Sequence, residues 1–196
     1  MLSRTMSSSA VHTADHAVTR PSQRVILGSL AVFFFACHAA VHVALNQTEH
    51  ILWACHIACL AVGFGLLASA QRLAALGTLI LAVGVPLWLI NLSLGAQFYL
   101  TSALSHFGGI TIGFIGARKL GWSTTAWRDA ATLGFFLVAI SRYVLPADSN
   151  VNRAITGWPP LPHLMPSIVS VACMFLIWTC LLWLMDKGLT ARFGAR

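Results

Sequence analysis

Six long apolar runs separated by short polar breaks dominate the chain. They cover about Val25 to Leu45, Ile51 to Ser69, Leu73 to Leu94, Tyr99 to Ala117, Ala126 to Leu145 and Leu164 to Met185. A spanning helix needs about 20 apolar residues, because ~30 Å of hydrocarbon is crossed at 1.5 Å per residue. Each run approaches that length, and none alternates with the period of two that barrel strands require. The pattern predicts an all-α polytopic membrane protein, a bundle of six transmembrane helices. The fifth run is interrupted late by Ser141 and Arg142.

Composition agrees and excludes the soluble classes. Hydrophobic residues make up 58 % of the chain and charged residues 9 %, with 12 basic and 5 acidic side chains among 196 residues. A soluble surface of this size cannot be covered by so few charges. The net charge of +7 would suit a nucleic-acid partner if the basic residues formed a patch, but they sort by loop instead. Arg4, Arg20, Arg24, Arg72, Arg118, Lys119, Arg128, Lys187, Arg192 and Arg196 fall on one side of a six-span topology, and Arg142 and Arg153 on the other. The positive-inside rule then places both termini in the cytoplasm and the chain in a cell inner membrane as a multi-pass protein. The expected partner is the lipid bilayer, with no nucleic acid.

Residues 1–23, rich in Ser, Thr and Ala, read as a disordered cytoplasmic tail, residues 24–187 as the six-helix domain, and 188–196 as a basic cytoplasmic tail. No small-x-small cleavage site follows the first apolar run, so it reads as an uncleaved helix. No internal repeat is visible. The one substantial loop, Pro146 to Pro162, lies on the outer side. Cys37, Cys55, Cys59, Cys173 and Cys180 all fall within spans, where Cys packs as a small apolar residue.

Topology gives the histidines a common depth. Of eight, His12 and His16 belong to the tail, and His50 and His163 to the outer loops. The first helix runs outward and carries His38 ~10 Å and His42 ~5 Å below its outer end, at 1.5 Å per residue. The second and fourth run inward and carry His56 ~8 Å and His106 ~10 Å deep on the same scale. Asn91 and Arg142 reach the same layer from the third and fifth helices. His38, His42 and Asn46 are spaced i, i+4, i+8 and are expected on one helix face, as are Ser102 and His106, with Ser105 beside them. Polar groups in hydrocarbon must find partners, so these faces are expected to converge on a pocket open to the outer leaflet. Trp53, Trp88 and Trp158 at the outer boundary, with Trp122 and Trp127 inside, read as an aromatic belt.

Three functions suit such a layer. The first is a metal-dependent hydrolase or transferase acting on a lipid-like or small-molecule substrate. His38, His42, His56 and His106 would supply imidazoles to a divalent metal such as Zn, and a position left open would hold an activated water. Asp148 or Glu49 would act as base or orient a ligand, and Arg142 would hold an anionic group. Asn46, Asn91, Ser102 and Ser105 would support the pocket. The second is electron transfer through a haem b ligated by two of the same imidazoles. The third is a transporter or complex subunit whose His layer is structural.

Ser105-His106-Phe107-Gly108-Gly109, followed by Gly113 and Gly116, resembles the histidine-bearing last core helix of rhomboid proteases. His38-x3-His42-x3-Asn46 is similar to their His/Asn-rich second helix. The similarity covers about 30 residues. The chain has no Gly-x-Ser-Gly nucleophile between the two segments, and the resemblance therefore does not carry a serine-protease activity. Alkaline ceramidases are a precedent for intramembrane His/Asp/Ser zinc hydrolases. This chain lacks their seven-span pattern and their paired His on a late helix.

Overall fold

A computed structural model of the chain describes residues 21–156 and 166–194. The described residues are helical throughout, with no strand. Helix α1 spans Pro21–Ala44, α2 Ala54–Leu67 and α3 Gln71–Ser93. A single rod then comprises α4, Leu100–Ala103, a π turn at Leu104–Gly108, and α5, Gly109–Leu120. Helix α6 spans Ala126–Tyr143 and α7 Ser167–Phe193. Short 3₁₀ turns occupy Thr48–Leu52, Ala147–Ser149 and Val151–Arg153. His12, His16, His163, Trp158 and the expected tail up to residue 20 lie outside the described residues. Residues 188–193, expected in the C-terminal tail, are the last turns of α7.

Four helices are long and apolar enough to cross a membrane: Gln23–Ala44, Gln71–Ser93, the rod Leu100–Leu120, and Ser167–Phe193. The other two apolar runs differ for physical reasons. Helix α2 has only 14 residues, about 21 Å at 1.5 Å per residue. The residues before it are taken up by the 3₁₀ turn, and most of its length is buried among neighbours. Irregular backbone at membrane depth is tolerated only where protein covers it. Helix α6 carries Arg128 and Asp129 in its first turn and Arg142 in its last, which leaves a short apolar middle. Its buried positions, Ala126, Ala130, Gly134, Leu137 and Ser141, form a single stripe against the bundle.

Helix α3 is the axis of the bundle. Of its apolar window 61 % is buried, against 22 % for α1 and 17 % for α7, which therefore form the periphery. The core around it is made of Val62, Leu66, Leu79, Ile80 and Leu81, with small residues where helices cross. At the α2–α3 crossing a Cβ on Gly65 would lie 2.7 Å from the Ala74 Cα, so only glycine permits this backbone approach. Pro86 inside α3 removes one rung of the helix ladder just where Gly84, Leu87 and Trp88 border a cavity.

Polar contacts gather at the two ends of the bundle. At one end Arg24 donates to Ser69, Lys119 Nζ to Gln23 Oε1 (2.9 Å) and Trp122 Nε1 to Asp186 Oδ1 (2.7 Å), and Arg72 pairs with Asp129 (2.7 Å). These bonds tie the start of α1, the α2–α3 turn, the α5–α6 connection and the end of α7 into one layer. The opposite end holds the histidines, Arg142, Arg153 and the connection between α6 and α7.

Candidate metal centre

One end of the bundle is assembled around four imidazoles on three elements. His38 and His42 lie one turn apart on α1, His56 in the first turn of α2, and His106 in the π turn. All four are buried, with 2 % of His38, 4 % of His42, 5 % of His56 and 2 % of His106 accessible. Ring nitrogens this buried draw most of their hydrogen bonds from the protein itself.

Three of these rings form one cluster. One ligand nitrogen each from His38, His42 and His56 lies within 4.8 Å of the other two. The His38 and His42 Nε2 atoms are 3.2 Å apart, and the ring centroids of His38 lie 4.6 Å from His42 and 4.1 Å from His56. His106 stands next to the cluster, 5.8 Å from His56 between centroids.

The outward ring nitrogens are held by the surrounding helices. His56 Nδ1 donates to the His50 carbonyl (3.1 Å), and His106 Nδ1 donates to the Ser102 carbonyl (2.8 Å). A carbonyl only accepts, so in both neutral rings Nδ1 carries the proton and Nε2 presents a lone pair. His38 Nδ1 is 2.9 Å from Thr101 Oγ1. His42 Nδ1 is buried with no hydrogen-bond partner. Fixing one nitrogen on a carbonyl or hydroxyl while the other stays free is how proteins orient imidazoles toward a metal.

The local sequence explains how His106 reaches this position. In the π turn the helix is widened by one residue, and Ser105 and His106 both become buried on its inner side. Ser105 Oγ donates to the Phe34 carbonyl on α1 (3.2 Å), pinning the turn. The His106 ring stacks on Trp88 of α3 at 4.4 Å and 13°, an offset-stack distance that fixes the ring plane.

The cluster opens into a cavity of about 420 Å³. His38, His42, His50, His56, His106 and Tyr99 border it together with apolar residues that include Leu87, Val138, Phe175 and Trp178. Arg153 borders the same cavity, and its Nη2 donates to Asn91 Oδ1 at 2.6 Å. Burial lowers the pKa of the Arg153 guanidinium from its ordinary value, and the group stays protonated.

Of the residues expected in the pocket, His38, His42, His56, His106, Asn91 and Ser102 border the cavity. Ser105 is buried beside it and bonded to α1. Asn46 does not continue the face of His38 and His42, because α1 ends at Ala44 and Asn46 is exposed with φ 55°. Arg142 is spent on the Ala154 carbonyl (2.7 Å), and Asp148 is exposed in the loop after α6. Neither borders the cavity. Four residues that do their work here were not singled out by the sequence: Thr101, Tyr99, Asn152 and, as a pocket cation, Arg153. Asn152 accepts from Ala54 N (2.8 Å) and donates to Leu52 O (2.9 Å) and Ser141 Oγ (3.0 Å), stapling the outer loop onto α2 and α6. The signal that pointed to this loop was its Asn-Val-Asn-Arg run, which concentrates residues able to adopt positive φ.

No family model, curated protein or solved structure matches this chain.

Proposed function

We propose that the chain is a six-span inner-membrane protein with cytoplasmic termini, whose His38–His42–His56 centre binds a divalent metal and carries out metal-assisted hydrolysis or transfer in the outer leaflet. The carrying observation is the cluster itself, three buried imidazoles with ligand nitrogens within 4.8 Å of each other. Zinc fits it best. Zn–N bonds of about 2.0–2.1 Å at the tetrahedral angle separate ligand nitrogens by about 3.3 Å, and the His38–His42 pair already stands at 3.2 Å. Ligand nitrogens as much as 4.8 Å apart would draw in by about 1.5 Å to reach that separation.

Three imidazoles leave a fourth tetrahedral position toward the cavity for water. A bound divalent metal lowers the pKa of such a water to about 7 and polarises a carbonyl or phosphoryl oxygen. Among the described residues no carboxylate borders the cavity. His106 is the group poised to take the proton, because its Nδ1 is committed to Ser102 and its Nε2 lone pair is free. Trp88 holds that ring in place. The substrate is small or lipid-like, as the cavity's size and apolar side require.

The six-span reading is supported by the sorting of charge between the two ends. Seven basic residues, Arg24, Arg72, Arg118, Lys119, Arg128, Lys187 and Arg192, sit at the end opposite the histidines, and Arg142 and Arg153 at the histidine end. The ring packing disfavours the haem b alternative. A macrocycle between His56 and His42 would have to displace the His38 ring, which is 4.1 Å from His56 and 4.6 Å from His42.

Elemental analysis and absorbance of the purified protein test the proposal together. It predicts near-stoichiometric zinc, lost in His42→Ala, and no Soret band. A folded protein that retains no divalent metal after zinc loading refutes it.

A further inference from the structure

The cavity has a second polar feature that the metal centre does not use. Arg153 borders it from the outer loop, half-buried, and among the described residues its guanidinium has one hydrogen-bond partner, the neutral Asn91 carboxamide. Among the described residues no carboxylate pairs with it, the one ion pair being Arg72–Asp129 at the opposite end. A guanidinium has five donors, so most of them remain unspent. Removing a cation from water without a counter-charge costs free energy.

The backbone is also strained to put it there. Asn150, Asn152 and Arg153 have φ of 41°, 54° and 53°. Asn tolerates the left-handed region, but for Arg it costs of order 1 kcal/mol or more. The Asn152 staple and the Arg142–Ala154 bond hold the segment in that shape. Strain of this kind persists where the surrounding structure over-determines it.

Much of the remaining lining of the cavity is apolar. Met174, Phe175, Trp178 and Leu181 border it from α7, with Val138 from α6. From Met174 to Leu181 the helix rises about 10 Å. This run descends from the outer end, where Arg153 sits, toward the bilayer interior. Gly134 on α6 makes room for the Trp178 ring, since a Cβ there would overlap it.

We infer that this cavity binds a single-chain amphiphile with an anionic head, the carboxylate or phosphate on Arg153 and the alkyl chain along α6 and α7. The inference deepens the metal-centre reading, since it names the class of substrate that would be presented to that centre. An arginine fork matches either head bidentately. Asn91 aims the fork, and the chain replaces bilayer lipid as the partner of the α7 face. The head and the histidines border one cavity, so a bond near the head lies on the side of the metal.

Binding is tested without turnover, using protein in phosphatidylcholine nanodiscs and 12-bromododecanoate as probe. Bromine quenches nearby indoles, and Trp88 and Trp178 border the cavity. The expected result is saturable quenching, displaced by dodecanoate and absent with the neutral 12-bromododecanol. The phosphate-headed 12-bromododecyl phosphate, run in parallel, shows which head is preferred. Arg153→Gln is expected to weaken binding by about tenfold or more, the worth of a charged hydrogen-bond pair. Asn91→Asp is expected to do the same with Arg153 still present, because the new carboxylate occupies the fork, and it keeps the test valid if Arg153→Gln fails to fold. Saturable binding of equal strength in both variants, or equal binding of the neutral probe, overturns the inference. Zinc analysis of the same zinc-loaded samples separates the two readings: anion-dependent binding by protein that retains no zinc sinks the metal centre alone, and zinc retained without anion-dependent binding sinks the amphiphile site alone.

Discussion

Replacing Thr101 with valine separates a metal centre from a hydrogen-bonded histidine knot. The swap keeps the shape of the side chain and removes only Oγ1, which is 2.9 Å from His38 Nδ1. With 2 % of His38 accessible, no water can take the place of the hydroxyl. The ring then loses its anchor while its Nε2 remains 3.2 Å from that of His42. Losing an outer partner of a ligating histidine typically costs 10–100-fold in metal affinity, or about 1.4–2.7 kcal/mol. Thr101→Val is therefore expected to weaken zinc binding by that factor, and Thr101→Ser, which restores the hydroxyl, to return it close to wild type. Competition against a chromophoric zinc chelator in detergent measures both. Should folded Thr101→Val bind zinc with an unchanged Kd, His38 is not oriented through Thr101, and the reasoning about outer partners fails.

Three further perturbations address the frame of the site. Gly65→Ala forces a methyl group to 2.7 Å from the Ala74 Cα and is expected to cost ~1–3 kcal/mol or more by overpacking; an unchanged thermal melt would contradict the close α2–α3 crossing. Asn152→Ala removes the acceptor of Ala54 N and the donor to Leu52 O and Ser141 Oγ, about 1–3 kcal/mol for each buried group left unpaired. Trypsin should then cut after Arg153 several-fold faster in the variant, and equal rates would show that the staple does not hold the loop. In a cysteine-free background, Asp148→Cys should react with a membrane-impermeant thiol reagent in intact cells, and Gly194→Cys only after lysis. The reverse pattern would invert the proposed topology.

The helices were legible because lipid-facing and buried positions are both apolar, so each span reads as a run whatever its neighbours. The same uniformity hid their inequality. Nothing in the run from Ile51 to Ser69 shows that only Ala54–Leu67 is α-helical, because its first residues are shaped by the 3₁₀ turn and by Asn152 from 98 positions away. The histidines could be placed at one depth from their spacing alone, since depth depends on rise per residue and little else. Their partners could not. Thr101 looks like any helix polar residue, and the π turn that buries both Ser105 and His106 leaves no periodic trace. The sequence singles out Arg142, near a helix end, as the anion anchor and leaves Arg153 in the following loop without a role. Backbone geometry separates them: Arg142 on a helix reaches a carbonyl, whereas Arg153, turned by a positive φ, reaches the cavity. Asn46 shows the opposite error, a spacing argument extended two residues past the end of its helix.

X-ray absorption at the zinc edge of the zinc-loaded protein tests the central claim most directly. The account predicts a four-coordinate ion with three imidazole nitrogens and one water oxygen at about 2.0–2.2 Å, and loss of the imidazole signature in His42→Ala. A six-coordinate oxygen shell without imidazole scattering, the mark of a loosely held hydrated ion, would contradict it.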